Sequence, residues 1–198
     1  MAFTRNLAET SGVQTTRAIV LRLTRLTDTS LIVHWFTQDH GLVKTVAKGA
    51  RRPSSPFAGK LDLFFGGEMS LVRARRGELH ALRDVAIDEW RERLRHHYSS
   101  TLLAAYFSQL LELAVEPDHP EPLLYDLLLR ALDHVTDSGA SLLALRHFEK
   151  ELARLLGVAH HQRPAHECLR DALGTLPTSR PSLTQQLFSA DSFGSPSP

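Results

Sequence analysis

The chain contains a single cysteine, Cys168, in 198 residues. That excludes an internal disulfide framework and fits a reducing compartment. No continuous apolar run of membrane-spanning length is present, since the stretch from Leu102 to Val115 is interrupted by Ser108, Gln109 and Glu112. The amino-terminal MAFTRNLAETSG has no apolar segment of the secretory type. The expectation is a cytoplasmic protein with no membrane partner. Signs of catalysis are missing too. There is no phosphate-binding Gly-x4-Gly-Lys loop, and Asp28, Asp39 and Asp62 are scattered over turns without an HxH, DxD or Glu-x-Lys constellation. Ser54 and Ser55 have no base beside them. These absences argue against an enzyme and leave no call for a cofactor.

Acidic residues are absent from position 40 to position 61, and this gap is the most informative one. It coincides with KTVAKGARRPSSPFAGK, in which Lys44 and Lys48 lie an even number of residues apart and so share one face of a strand. Arg51 and Arg52 follow in a turn, with Lys60 beyond. Five cations presented from one short region of backbone suit a phosphate backbone better than a small neutral ligand. The formal net charge is only +1, but residues 1–90 carry 13 Lys and Arg against 9 Asp and Glu, whereas residues 91–198 carry 10 against 13. Arg73, Arg75 and Arg76 near the fourth apolar run extend the candidate phosphate track, the first two on one face; a solvated edge that resists aggregation is the competing reading. Phe57 lies in a polar loop beside the cations, with stacking on a base and docking against the fold equally weighted. Trp35 and Phe36 sit in a nearly unbroken apolar strand and read as core.

The hydrophobic period changes near residue 90. Before it come five short strand-like runs: Arg17 to Leu23, Leu31 to Phe36, Leu42 to Lys48, Glu68 to Arg75 and Leu79 to Ile87. Their number and spacing suit a small barrel of OB or SH3-like type. Beyond Trp90 the period is helical. Leu94, Tyr98, Leu102, Tyr106, Leu110 and Leu113 read as one long helix. Leu124, Leu127, Leu128, Ala131 and Val135 form a second stripe, with Pro122 in its first turn. Leu142, Leu145, Phe148, Leu152 and Leu155 form a third, stopped by Gly157. From Pro177 to Pro198 the composition turns to Ser, Thr, Pro and Gly, which reads as a disordered tail.

These features together resemble the RecO family of bacterial recombination mediators over roughly residues 15 to 160. The resemblance runs through Arg17-Ala18-Ile19-Val20-Leu21, Asp28-Thr29-Ser30-Leu31-Ile32-Val33 and Phe36-Thr37 to Gly41-Leu42. It continues in Lys48-Gly49-Ala50-Arg51-Arg52-Pro53, its most specific part, with Phe57, Gly59, Leu61 and Phe64 after it. In the helical half, Leu145-Arg146-His147-Phe148-Glu149 followed by Leu155-Leu156-Gly157 is similar to the family's last core helix.

The resemblance implies an α+β chain: a flexible segment 1–14, an N-terminal five-stranded OB-fold barrel over 15–89, an all-α helical domain over 90–160, and a reduced, largely disordered segment over 161–198. It further implies a non-enzymatic protein that binds single- and double-stranded DNA, anneals complementary strands and helps load RecA onto strands coated by single-stranded-DNA-binding protein (SSB). Partners implied are RecR and the acidic SSB tail, in a nucleoid-associated cytoplasmic setting. Arg146 and Arg130 become candidate partner contacts, with an intramolecular pair on the helix as the competing role for Arg146. Many members carry a four-cysteine zinc site after the helical core. Here that stretch runs from Gly157 to Cys168 with no second cysteine, so a site would need His160, His161, His166 and Cys168, and adjacent histidines rarely ligate one ion together. The expectation is no metal. The alternatives are a protein-interaction adaptor with weak or lost DNA binding, and an RNA-binding OB protein that prefers RNA through 2′-hydroxyl contacts.

Overall fold

The computed structural model describes residues 12–193. Five strands, β1 (Val13–Arg25), β2 (Leu31–Thr37), β3 (Gly41–Ala47), β4 (Gly66–Val72) and β5 (Leu79–Glu89), close into a barrel in the order β1-β2-β3-β5-β4. Every pairing is antiparallel except β3 with β5. This is the OB arrangement, so connectivity decides what strand count left open. β1 starts at Val13, inside the stretch expected to be flexible; residues 1–11 lie outside the described ones.

The apolar pattern of β1 follows from what lies on its two sides. Ala18 and Val20 point into the barrel with Val33, Trp35, Val43, Met69, Leu71, Leu82 and Val85. Ile19 and Leu21 point outward, yet join Phe36 in the core of the helical unit. A strand packed on both faces has no solvent side and carries no polar alternation. Trp35 is 1% exposed, and its indole N–H donates to Thr45 Oγ1 at 2.8 Å. The β2–β3 hairpin turns at Gly41, whose φ of 65° and close approach to the His119 carbonyl leave no room for a Cβ.

A 3-10 turn (Glu92–Arg95) leads into α1 (Tyr98–Ala114), α2 (Pro122–Ser138), α3 (Leu142–Leu155), α4 (Ala165–Leu173) and α5 (Arg180–Phe193). The single stripe expected from Leu94 to Leu113 is divided. Leu94 belongs to the 3-10 turn and Tyr98 is exposed, while α1 buries the expected Tyr106 and Leu110 together with Leu103, Phe107 and Leu111. His97, in an extended conformation, separates the two helical pieces, and Arg91 sets the turn that precedes them. Arg91 adopts a left-handed conformation (φ 43°), and its side chain is pinned by Glu89 at 2.6 Å, Asp133 at 2.9 Å and the Phe64 carbonyl at 2.9 Å. This guanidinium ties barrel to helices.

The C-terminal expectation is corrected. The helical unit does not end at residue 160, and the segment expected to be a disordered tail contains α5, whose Leu183 and Leu187 are fully buried in the helical core. Two leucines four residues apart suffice to seat one face of a polar helix. Arg180 adds a second attachment, donating to both carboxylate oxygens of the buried Glu149 at 2.6 and 3.0 Å.

Where barrel meets α1, Arg22 of β1 donates to His34 Nδ1 at 3.2 Å and pairs with Glu112 at 3.2 Å. Burial, followed by the Arg22 and Lys44 charges, pushes the His34 imidazole down to about 4. Because the folded value lies below the unfolded one, this contribution is complete above the ordinary histidine range and is lost as pH falls toward 4. The urea midpoint of the chain is therefore expected to drop between about pH 7.5 and about pH 5 by more than that of His34→Gln. Equal drops in both proteins would refute the assignment.

Candidate nucleic-acid interface

The helices cover the outer side of β1, part of β2 and the start of β3, where Leu42 packs against the helical core and bridges to Pro117. This leaves the far end of β3 and the adjoining part of β5 as the open face of the barrel. Here the parallel pairing sets the geometry. Lys44 lies beside Leu79 and Val46 beside Ala81, where the ladder ends; Lys48, in the turn after β3, and Arg83, at an irregularity in the β4–β5 pairing, follow it. Lys48 and Arg83 are both exposed, and neither has an ion-pair partner among the described residues. Arg83 was not singled out from the sequence. Its outward parity in β5 was readable there, but its place past the end of that ladder was not, because a parallel β3–β5 contact joins segments some 35 residues apart.

The loop after β3 is held in place rather than loose. Gly49 turns the chain with φ 68°, the Arg51 N–H donates to the Thr29 carbonyl at 3.0 Å, and the Arg52 N–H donates to the Gly49 carbonyl at 3.0 Å. Arg51 Nη1 also donates to the Asp28 carbonyl at 3.1 Å. The basic turn is thereby fastened to the β1–β2 turn, where Arg25 pairs with Asp28. Lys48, Arg51, Arg52 and Arg25 thus converge at one end of the β3–β5 face. Preorganised cations lose less freedom on binding than cations on a mobile loop.

The remaining predicted residues divide. Lys44 pairs with Glu78 at 3.1 Å, and Lys60 lies 4.0 Å from Asp84. The fold thus brings acids to a stretch that lacks them in sequence. Both pairs are solvent-exposed, hence weak and readily exchanged for phosphate. β4 ends at Val72, so Arg73, Arg75 and Arg76 lie in the β4–β5 hairpin and the shared strand face expected for Arg73 and Arg75 does not form. Arg73 is held by Gln14 and Asp118. Arg75 and Arg76 are exposed, without ion-pair partners among the described residues, at the end of β3 remote from Arg51. Phe57 is only 6% exposed and packs in the barrel core, which removes it from base stacking. The exposed aromatic of this unit is Trp90, which meets Phe65 edge-on at 5.1 Å.

In the helical unit the two candidate partner residues lie on opposite sides of α3. Arg130 pairs with Asp126 at 2.8 Å and rims an apolar groove of about 380 Å³ floored by Phe107, Leu127, Ala144 and Phe148, with His134, His147 and the exposed Leu143 at its edge. Arg146 faces a different cavity. Cys168 is buried, His160 and His161 stack ring on ring at 4.7 Å, and among the described residues no group of three or more His, Cys, Asp or Glu is placed to hold a metal ion. No helix of the described residues is long and apolar enough to cross a membrane.

A closed five-stranded OB barrel that carries a cluster of exposed cations and is docked on a five-helix unit defines the class of protein: a two-part OB-barrel and helical protein. Two family profiles match the chain: recombination protein O N terminal over residues 12–89 and recombination protein O C terminal over residues 95–174. The chain belongs to the RecO family. Its relatives include the DNA repair protein RecO of Rhodopirellula baltica, 35% identical over 158 residues (78% of this chain, 57% of that protein). Those of Idiomarina loihiensis (32% over 161 residues; 79% and 67%) and Syntrophotalea carbinolica (33% over 144 residues; 73% and 56%) are also similar. The chain thus covers between 56% and 67% of the length of these three relatives.

Proposed function

We propose that this chain is a non-enzymatic mediator in DNA repair and recombination, which binds single- and double-stranded DNA without sequence preference, anneals complementary strands and assists RecA loading on SSB-coated DNA. The observation that carries the reading is the cationic β3–β5 face of the barrel, built from Lys48, Arg51, Arg52, Arg83 and Lys44 and extended by Lys60, Arg75 and Arg76. Such a face holds phosphates without reading base edges, as an annealer of arbitrary sequences requires. Screening of strand–strand repulsion by these cations supplies the annealing. The relatives named DNA repair proteins point the same way.

The helical unit supplies the docking side, toward RecR and the acidic SSB tail. Of its two grooves, the one between α2 and α3 suits that tail: an apolar floor to seat a hydrophobic side chain and Arg130, His134 and His147 at the rim to meet acidic ones. Leu143→Glu is expected to weaken binding of an SSB-tail peptide by about tenfold or more, read by fluorescence polarisation, while leaving DNA binding unchanged. An unchanged peptide affinity would move the contact elsewhere.

The test of the central reading is fluorescence anisotropy of a labelled mixed-sequence oligonucleotide, single- and double-stranded, at several salt concentrations. Binding of both forms with a steep salt slope is the expected result. Absence of binding at low salt would favour the protein-interaction adaptor, and tighter binding of RNA than of the matched DNA would favour the RNA-binding alternative.

A further inference from the structure

A cavity of about 990 Å³ opens between α3, the 157–164 segment, α4 and α5, away from the barrel. Most of its polar lining residues are basic. Arg146 and Lys150 enter from α3, His160, His161 and Arg163 from the connecting segment, and His166 from α4. Arg146 and Lys150 are exposed and make no ion pair among the described residues. Glu149 is the one carboxylate in the lining, and it is unavailable: its side chain is 2% exposed, Arg180 holds both its oxygens, and Tyr106 donates to it at 2.6 Å. Arg163 is engaged by Asp171 at 2.8 Å and by Glu167 at 3.7 Å. The cavity therefore gathers two uncommitted cations and three imidazoles around a space of ligand size, with its own acid already neutralised.

We propose that this cavity binds a compact phosphate monoester, as carried by a nucleotide or a DNA terminus. The observations favour phosphate over an acidic peptide. Arg146 and Lys150 reach the space from α3 and Arg163 from the connecting segment, which suits a small polyvalent anion with several acceptor oxygens. The lining also lacks the exposed apolar anchor that the α2–α3 groove possesses in Leu143. His160 accepts the Gln162 N–H on Nδ1 and so has Nε2 to donate, and the stacked His160–His161 pair offers an aromatic face to a nucleobase. The site is separate from the barrel cations, so its occupancy can be tested independently of theirs.

The test uses the full chain with inorganic phosphate, adenosine 5′-monophosphate and adenosine as probes, followed by calorimetry and by the histidine ring signals in long-range 1H–15N spectra. The expected result is binding of phosphate and the monophosphate but not of adenosine, with the His160, His161 and His166 signals moving. Arg146→Gln or Lys150→Gln is expected to weaken binding about tenfold or more, in line with the loss of one charge-assisted contact. Arg52→Gln on the barrel should leave it unchanged. To separate the two sources, a 5′-phosphorylated duplex is compared with its 5′-hydroxyl counterpart in a Lys48→Ala, Arg51→Ala, Arg52→Ala background. A gain from the terminal phosphate assigns a DNA end, and no gain alongside monophosphate binding assigns a free nucleotide. Equal binding of adenosine, indifference to both α3 substitutions, or a response to acidic peptides alone would overturn the proposal.

Discussion

Replacing Lys48, Arg51 and Arg52 together by alanine is expected to lower affinity for a mixed-sequence single strand by about 100-fold and to reduce the slope of log affinity against log salt by about 2. The slope follows from three lost phosphate contacts at about 0.7 each on single strands. The affinity follows from about 1 kcal/mol for each exposed, partly screened contact. Folding should be little affected, because the three side chains are exposed and none is in an ion pair among the described residues. The variant gives up the exposed Arg51 Nη1 bond to the Asp28 carbonyl, but Gly49 and the backbone bond from Arg51 to Thr29 still hold the turn. The matched control is Lys44→Ala, where Glu78 already offsets part of the charge and the expected loss is smaller. Unchanged annealing rate and unchanged salt slope in the triple variant would show that DNA lies elsewhere on the barrel. A loss of affinity with an unchanged slope would mean that the contacts are not to phosphate.

The same residues show how far the sequence carried. The basic turn was legible because Gly49, Arg51 and Arg52 are local: strand, left-handed glycine and cations lie within nine residues, and the family resemblance is densest there. Strand parity put Lys44 and Lys48 on one side, but β3 ends at Ala47, so Lys44 is a strand residue and Lys48 opens the turn. What the sequence hid was lateral. Glu78 beside Lys44 depends on a parallel register between strands with a whole strand and two loops between them, and Asp84 near Lys60 on how the long β3–β4 loop lies against β5. Phe57 was balanced between stacking and docking, and the barrel interior claimed it, since burying an aromatic ring outweighs keeping it wet beside cations. Arg91 left no sequence signal beyond its position after β5. Its left-handed backbone and threefold side-chain engagement arise only when Glu89, Asp133 and Phe64 converge. The C-terminal segment misled through composition: Ser, Thr and Pro dominate it, whereas Leu183, Leu187 and Arg180 decide its structure.

Arg180→Ala is expected to destabilise the fold by about 3 kcal/mol or more, and so to lower the thermal midpoint by about 10 °C. The reason is asymmetric. Glu149 is buried in α3, and the Arg180 side chain, itself 16% exposed, is its only cationic partner among the described residues. Removing the guanidinium leaves a carboxylate in the core with a single donor, the Tyr106 hydroxyl, whose own ionisation is already pushed upward by burial and by that carboxylate. An unpaired buried charge is penalised far more heavily than the intact pair is rewarded. The double variant Glu149→Leu, Arg180→Leu should therefore recover most of the loss, because it removes charge and desolvation penalty together. Urea denaturation of the wild type, the single variant and the double variant measures this directly. A single-variant loss below about 1 kcal/mol would mean that water reaches Glu149 and that α5 rests on the helical unit only through Leu183 and Leu187. A large loss restored by the double variant would make α5 an integral fifth helix, fixed by one ion pair and two leucines, and would set the wall of the basic cavity in place independently of any ligand bound there.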